Sequence, residues 1–164
     1  MPHSPARMDA LRRFAAGALA DDRIVATPAS SDASFRSYWR VAAPAQGAGA
    51  SHVVMDAPPD KEDLGRWLDI GARLRAAGLH APAVLAVDRT QGFVLMEDLG
   101  ARTYLPELNA ANADALYADA LDALLRMQTR VDTGGLPAYD RALLVAELER
   151  LPEWFLVRHL GFTP

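Results

Sequence analysis

No cysteine occurs in the 164 residues, which removes disulfide frameworks, thiolate metal sites and cysteine nucleophiles in one step. Lysine is almost as scarce. Lys61 is the one lysine among seventeen basic residues, so any chemistry that needs a lysine must use it. Long apolar runs are missing as well: no stretch approaches the ~20 residues of a bilayer crossing, and the N-terminus, with Asp9 early and no apolar core, is not patterned as a signal peptide. The expected location is the cytoplasm. With a formal net charge of −4 and arginines scattered along the chain, there is no basic stripe for nucleic acid. The four histidines, His3, His52, His80 and His159, lack the i, i+4 spacing of a metal-binding helix, and no Gly-x-Ser-x-Gly elbow is present. A structural metal site and a serine hydrolase are both unsupported.

What is present is enough apolar content, 51%, for a proper core in one domain or one large lobe. Met8, Leu11, Phe14, Ala15, Ala18 and Leu19 recur at helical spacing and predict an opening amphipathic helix. Ile24 and Val25 start a strand that the cluster Pro28-Ala29-Ser30-Ser31-Asp32 is expected to break. The chain resumes from Phe35 to Val41, with Phe35, Ser37, Trp39 and Val41 on one face and Arg36, Tyr38 and Arg40 on the other. After a long, mobile connection from Ala42 to Ser51, His52 to Met55 form a third strand. Asp56-Ala57-Pro58-Pro59 ends it, and Asp60, with Asp63 three residues on, is expected to cap a helix burying Leu64, Trp67, Leu68, Gly71 and Leu74 and closing at Gly78. Val84 to Val87 and Phe93 to Met96 flank a hairpin turn. Beyond Gly100 only helices are expected: one from about Asn112 to Gln128, and a second, capped by Asp140, running towards Trp154, Phe155, Val157 and Leu160. The change of pattern near Gly100 predicts a lobe boundary, with residues 1–99 in one lobe and 100–164 beginning another.

Three segments in that order, Ser31-Asp32-Ala33-Ser34-Phe35-Arg36-Ser37-Tyr38-Trp39-Arg40-Val41, Val54-Met55-Asp56-Ala57-Pro58-Pro59 and Gly92-Phe93-Val94-Leu95-Met96-Glu97-Asp98-Leu99-Gly100, resemble the aminoglycoside-phosphotransferase superfamily. Within it they are most similar to the bacterial kinases that phosphorylate N-acetylmuramate and N-acetylglucosamine at the anomeric hydroxyl in peptidoglycan recycling. The resemblance implies an α+β fold: a protein-kinase-like N-terminal lobe, with a five-stranded antiparallel sheet and a packed helix, then the first helices of an α-rich C-terminal lobe. It implies ATP and Mg2+ as cofactors and an amino sugar as substrate. It also implies that the turn Ser31, Asp32, Ala33 and Ser34 is a loop covering the phosphates, with Phe35 and Arg36, directly after it, also on the nucleotide. Met96, Glu97, Asp98 and Leu99 would form the hinge that reads adenine through the Glu97 carbonyl and the Leu99 amide. Met96 would line the back of the adenine pocket. By spacing alone, 31–34 reads as an ordinary hairpin turn, and 96–99 as the acidic end of a strand.

The chain departs from the family pattern in two ways. The third strand has no phosphate-binding lysine and the inner part of the following helix, Leu64 to Leu74, no glutamate to pair with one. Lys61, expected in the first turn of that helix, reads as solvated, and Glu62, Asp63 and Asp69 as the helix's wet face. If a cation grips the phosphates, Arg36 is the candidate; otherwise it is a surface arginine on a strand edge. No histidine is followed two residues later by an aspartate, so the family's catalytic base and its metal ligands are expected beyond this stretch, in the missing C-terminal lobe of the same polypeptide, and the chain by itself is expected to be inactive. No catalytic or metal-binding residue is therefore assigned. Other members of the superfamily, acting on choline, homoserine or an aminoglycoside, remain open. So does a non-catalytic nucleotide-binding adaptor that docks a partner through Trp154, Phe155, Val157 and Leu160.

Overall fold

The computed structural model describes residues 4–31, 34–47 and 49–162. Helix α1 (Pro5–Leu19) starts where Ser4 caps it, its Oγ accepting from the Arg7 amide at 3.3 Å, with Pro5 in the first turn, where a missing N–H costs nothing. Strands β1 (Val25–Ser31), β2 (Ser37–Ala42), β3 (Ser51–Asp56), β4 (Val84–Asp88) and β5 (Phe93–Glu97) then form one sheet in the order β1-β2-β3-β5-β4, every neighbouring pair antiparallel. Helix α2 (Leu64–Ala76) falls between the third and fourth strands. This is the expected α+β fold.

The two-residue alternation of the strands divides the core cleanly. Val41, Val54, Phe93 and Leu95 point to one face, where Leu11, Ala15 and Leu19 of α1 cover them. Met55, Val94 and Met96 point to the other, where they meet Leu64, Trp67 and Leu68 of α2. Because β5 is covered on both faces, it reads as a continuous apolar run instead of an alternating one. Arg7 pins α1 to the sheet: its Nη2 lies 2.6 Å from Oδ1 of the buried Asp56, and its guanidinium stacks 4.1 Å above the Phe93 ring.

Several boundaries differ from the sequence reading for identifiable reasons. β1 continues through Pro28 to Ser31 instead of breaking there. It is an edge strand, so a missing amide can face away from its neighbour, and a register shift between Pro28 and Ser30 absorbs the rest. Phe35 and Arg36 precede β2, which begins at Ser37. The cap of α2 is Asp63, whose Oδ1 accepts from the Gly65 amide at 2.8 Å, and not Asp60; residues 58–62 are taken up by a turn in which Pro58 O receives the amides of Lys61 and Glu62. α2 ends as expected, with Gly78 at φ 81° and the Leu79 amide returning to Leu74 O. The connection between β2 and β3 carries a 3-10 turn, Pro44–Gln46, held by a 2.6 Å bond from the Ala45 amide to Asp21.

Among the described residues no strand follows Glu97. A short helix α3 (Tyr104–Glu107), not anticipated, precedes α4 (Ala113–Arg130). The chain divides into two compact units, Met1–Val131 and Asp132–Pro164. In the second, Asp140 caps α5 (Arg141–Leu148) through a 3.0 Å bond from the Leu143 amide. The expected single helix towards Trp154 is instead two segments. Pro152 cannot donate to the preceding turn, and Leu151–His159 winds as a wider π-helix in which the Leu160 amide reaches back to Phe155 O.

Candidate functional site

β2 is the spine of the site. Its alternation sends Tyr38 to the α2 side of the sheet, where it packs on the core, and by the same period Arg36 and Arg40 flank it. Arg36 lies just before the strand and Arg40 within it, four residues on. Arg36 marks the end of β2 near residues expected to form the loop, and Arg40 the end near those expected to form the hinge.

At the loop end, Ser34 Oγ accepts from the Arg36 amide at 3.1 Å and from Arg36 Nε at 3.0 Å. Glu62 reaches across from the turn before α2: its Oε1 accepts from the Phe35 amide at 3.2 Å, and its Oε2 lies 3.9 Å from Arg36 Nε. Residues 34–36 are thereby joined to the turn before α2 by a cation–carboxylate pair, although neither the third strand nor the helix interior supplies one. Sequence reasoning missed Glu62 because placing the helix start at Asp60 assigned it to a solvated helical face. Lys61 is solvated, as expected, but in the turn before the helix; its Nζ lies 3.5 Å from Asp60 and 5.9 Å from the ring centre of the exposed Phe35. Ser31 closes β1 opposite Ser37. Asp32 and Ala33 lie outside the described residues.

At the hinge end, β5 stops at Glu97 and Asp98 turns inward. Its Oδ2 accepts from Arg40 Nε at 2.6 Å and from Ser51 Oγ at 2.7 Å, and its Oδ1 from Arg40 Nη2 at 3.0 Å and the Gly100 amide at 2.9 Å. The Arg40 hydrogen bond, helped by those from Ser51 and Gly100 and opposed by burial, holds the Asp98 carboxyl well below the usual carboxylate range. The same bond raises Arg40. Glu97 sends its carboxylate the other way, to the Ala83 amide and His80 Nε2, both at 3.0 Å, and these contacts lower its pKa, the Ala83 amide most. Met96 is buried among Met55 and Val94, so its side chain is part of the core beneath the hinge. Leu99 is half exposed.

A groove of about 1050 Å³ opens between α2 and residues 81–84, walled by Trp67, Ile70, Leu74 and Val84, with Arg36 and Glu62 at one end. It stops short of residues 96–99. Among the described residues no group of three or more histidine, aspartate or glutamate side chains is arranged to hold a metal ion, and no helix is long and apolar enough to cross a membrane.

The model of the Phosphotransferase enzyme family matches residues 25–162. The N-acetylmuramate/N-acetylglucosamine kinase of Pseudomonas aeruginosa is 52% identical over 135 residues, covering 82% of this chain and 38% of that protein. The kinase of the same name from Pseudomonas putida is 50% identical over 137 residues, 84% of this chain and 39% of its own length. That of Neisseria meningitidis serogroup B is 35% identical over 139 residues, with shares of 82% and 40%. The chain thus spans about two fifths of the length of the curated relatives it matches. A five-stranded antiparallel sheet backed by two helices, and a family match running from β1 to residue 162, lead to one assignment: this chain belongs to the phosphotransferase enzyme family.

Proposed function

We propose that the chain is the nucleotide-binding part of an ATP-dependent kinase that phosphorylates a hydroxyl of an amino sugar, N-acetylmuramate or N-acetylglucosamine. Residues 1–99 form its nucleotide lobe, and residues 100–164 begin a helical lobe that builds the sugar pocket and carries the catalytic base and the Mg2+ ligands. The observation that carries this reading is that β2 lies between Arg36, paired with Glu62, and Asp98, bound to Arg40, in a chain about half identical over 135 to 137 residues to kinases of that name.

The residues present fit a nucleoside triphosphate in kind. Arg36 supplies a cation at the loop end, where Ser34 offers a hydroxyl. The Leu99 amide donates to no acceptor among the described residues, which suits a main-chain group meant for the edge of a base. Mg2+, when bound with ATP, neutralises charge on the phosphates. Transfer itself then depends on residues outside this chain.

The decisive experiment is a phosphoryl-transfer assay on the full-length gene product with ATP and Mg2+, offering N-acetylmuramate, N-acetylglucosamine, an aminoglycoside, choline and homoserine. Transfer to the anomeric hydroxyl of the two amino sugars is the expected result. Transfer to one of the other three moves the substrate class. Nucleotide binding without transfer to any of them turns the protein into a nucleotide-binding adaptor.

A further inference from the structure

We infer that Asp98 is a positioning residue for base recognition: it does not touch the nucleotide but clasps residues 97–100 to β2 and β3, and adenine selectivity depends on that clasp. This deepens the nucleotide reading above and rests on it.

Residues 97–100 need such a clasp because the sheet has run out. The last ladder position of β5 pairs Glu97 with His52, and the Glu97 amide goes to Ala83 O at 2.8 Å. Beyond it the main chain has no strand partner, and Leu99, half exposed, is not held by burial either. Asp98 supplies what the ladder no longer does. Its side chain is 5% exposed, and each carboxylate oxygen accepts two hydrogen bonds: Arg40 Nε and Ser51 Oγ on Oδ2, Arg40 Nη2 and the Gly100 amide on Oδ1. A carboxylate has about four lone-pair sites, so all are occupied and none remains for a ribose hydroxyl or a cation.

The consequences fall on Leu99. Arg40 Nη2 also donates to Gly100 O at 3.2 Å, so both the amide and the carbonyl of Gly100 are tied to the Asp98–Arg40 pair. Leu99 is then flanked by two fixed residues while its own amide has no protein acceptor among those described. Such an amide is oriented before a ligand arrives, which is the condition for a main-chain group to discriminate one purine edge from another. Asparagine in place of Asp98 would keep the shape and break the clasp, because its NH2 must face either Arg40 and Ser51 or Arg40 and Gly100, where all but the serine hydroxyl can only donate.

The test is made on the full chain as its gene encodes it, by displacing a fluorescent ATP analogue with ATP or GTP and by measuring kcat at saturating ATP. For Asp98→Asn the expected result is an ATP affinity about tenfold weaker, an ATP-over-GTP preference reduced by about the same factor, and a kcat within about threefold of the parent. Ser51→Ala, which removes one of the four donors from the clasp, should move both affinity measures in the same direction by about two- to threefold, with Ser51→Thr restoring them. An unchanged preference in a folded Asp98→Asn protein, or a collapse of kcat with affinity retained, overturns the proposal; if that variant fails to fold, the Ser51 pair decides by the same criteria. A parent protein that binds ATP no better than GTP overturns the adenine reading itself and the positioning role with it, whereas a parent that discriminates and variants that still do so sink this proposal alone.

Discussion

Gly92 shows how little room a single position in this sheet has. Its φ is +76°, and a Cβ there would lie 2.0 Å from the Ala57 carbonyl oxygen, while the Gly92 carbonyl itself accepts from the Ala57 amide at 2.9 Å. Gly78 has a similar φ of +81°, yet a Cβ there would meet nothing within 4 Å. Gly78→Ala should therefore cost only the left-handed backbone penalty, about 1 kcal/mol, whereas Gly92→Ala adds a clash with main-chain atoms that cannot yield and should cost about 3 kcal/mol or more. Chemical denaturation of the two variants checks this, and equal losses would show that the Ala57 contact is easily relieved. At this scale the sequence marks positions well and partners poorly. Arg36 and Asp98 stand out as polar residues beside a loop and a strand end. That Arg36 pairs with Glu62, and Asp98 with Arg40 and Ser51, cannot be read from spacing, because each pair joins segments 26 to 58 residues apart. The one local hint is Asp98 two residues before Gly100, a turn pattern in which the side chain accepts from the amide two positions on.

Elements were more legible than contacts, and the start of α2 shows why boundaries are the weak point. Asp60 and Asp63 both suit an N-cap, and the spacing between them imitates a capping box, but only Asp63 bonds an amide of the first turn. Pro58 and Pro59 hold the intervening residues in a turn that keeps Asp60 exposed. Asp63→Ala is expected to destabilise the fold by about 1 kcal/mol and Asp60→Ala by less than about 0.5 kcal/mol, read from denaturant midpoints. The reverse ranking would place the helix start where the sequence pattern first suggests. The five strands and their alternation were readable because the faces of β2, β3 and β5 obey the period of two even where β5 is apolar from Phe93 to Met96. What stayed hidden was decided by tertiary setting: Pro28 is tolerated in β1 only because that strand lies at the edge, and α3 is too short, at four residues, to leave a periodic signal.

For the whole molecule, the decisive contrast is between a core that ends at Met96 and an apolar sequence that does not. Met96 is the last buried residue along the chain among those described, yet α4 exposes Leu121, Leu124 and Leu125, and α5 exposes Leu143, Leu144 and Leu148. Of these helical segments only α5 has a side-chain cap, at Asp140, among the described residues, while the sheet and its two helices hold the buried apolar contacts. Substituting Leu121 and Leu125 together by glutamine in this chain should leave the unfolding midpoint of the sheet unchanged within about 0.5 kcal/mol and reduce the binding of an apolar-surface dye. In a protein of the relatives' full length, where the chain accounts for about two fifths of the residues, the same substitutions should cost about 2 kcal/mol or more each, because a second lobe would cover those leucines. Thermal unfolding of the two forms side by side separates the cases. A large loss already in this chain would mean that α4 packs on the sheet unit, and equal tolerance in both would mean that its leucines stay exposed in the longer protein and that the helical lobe is completed elsewhere.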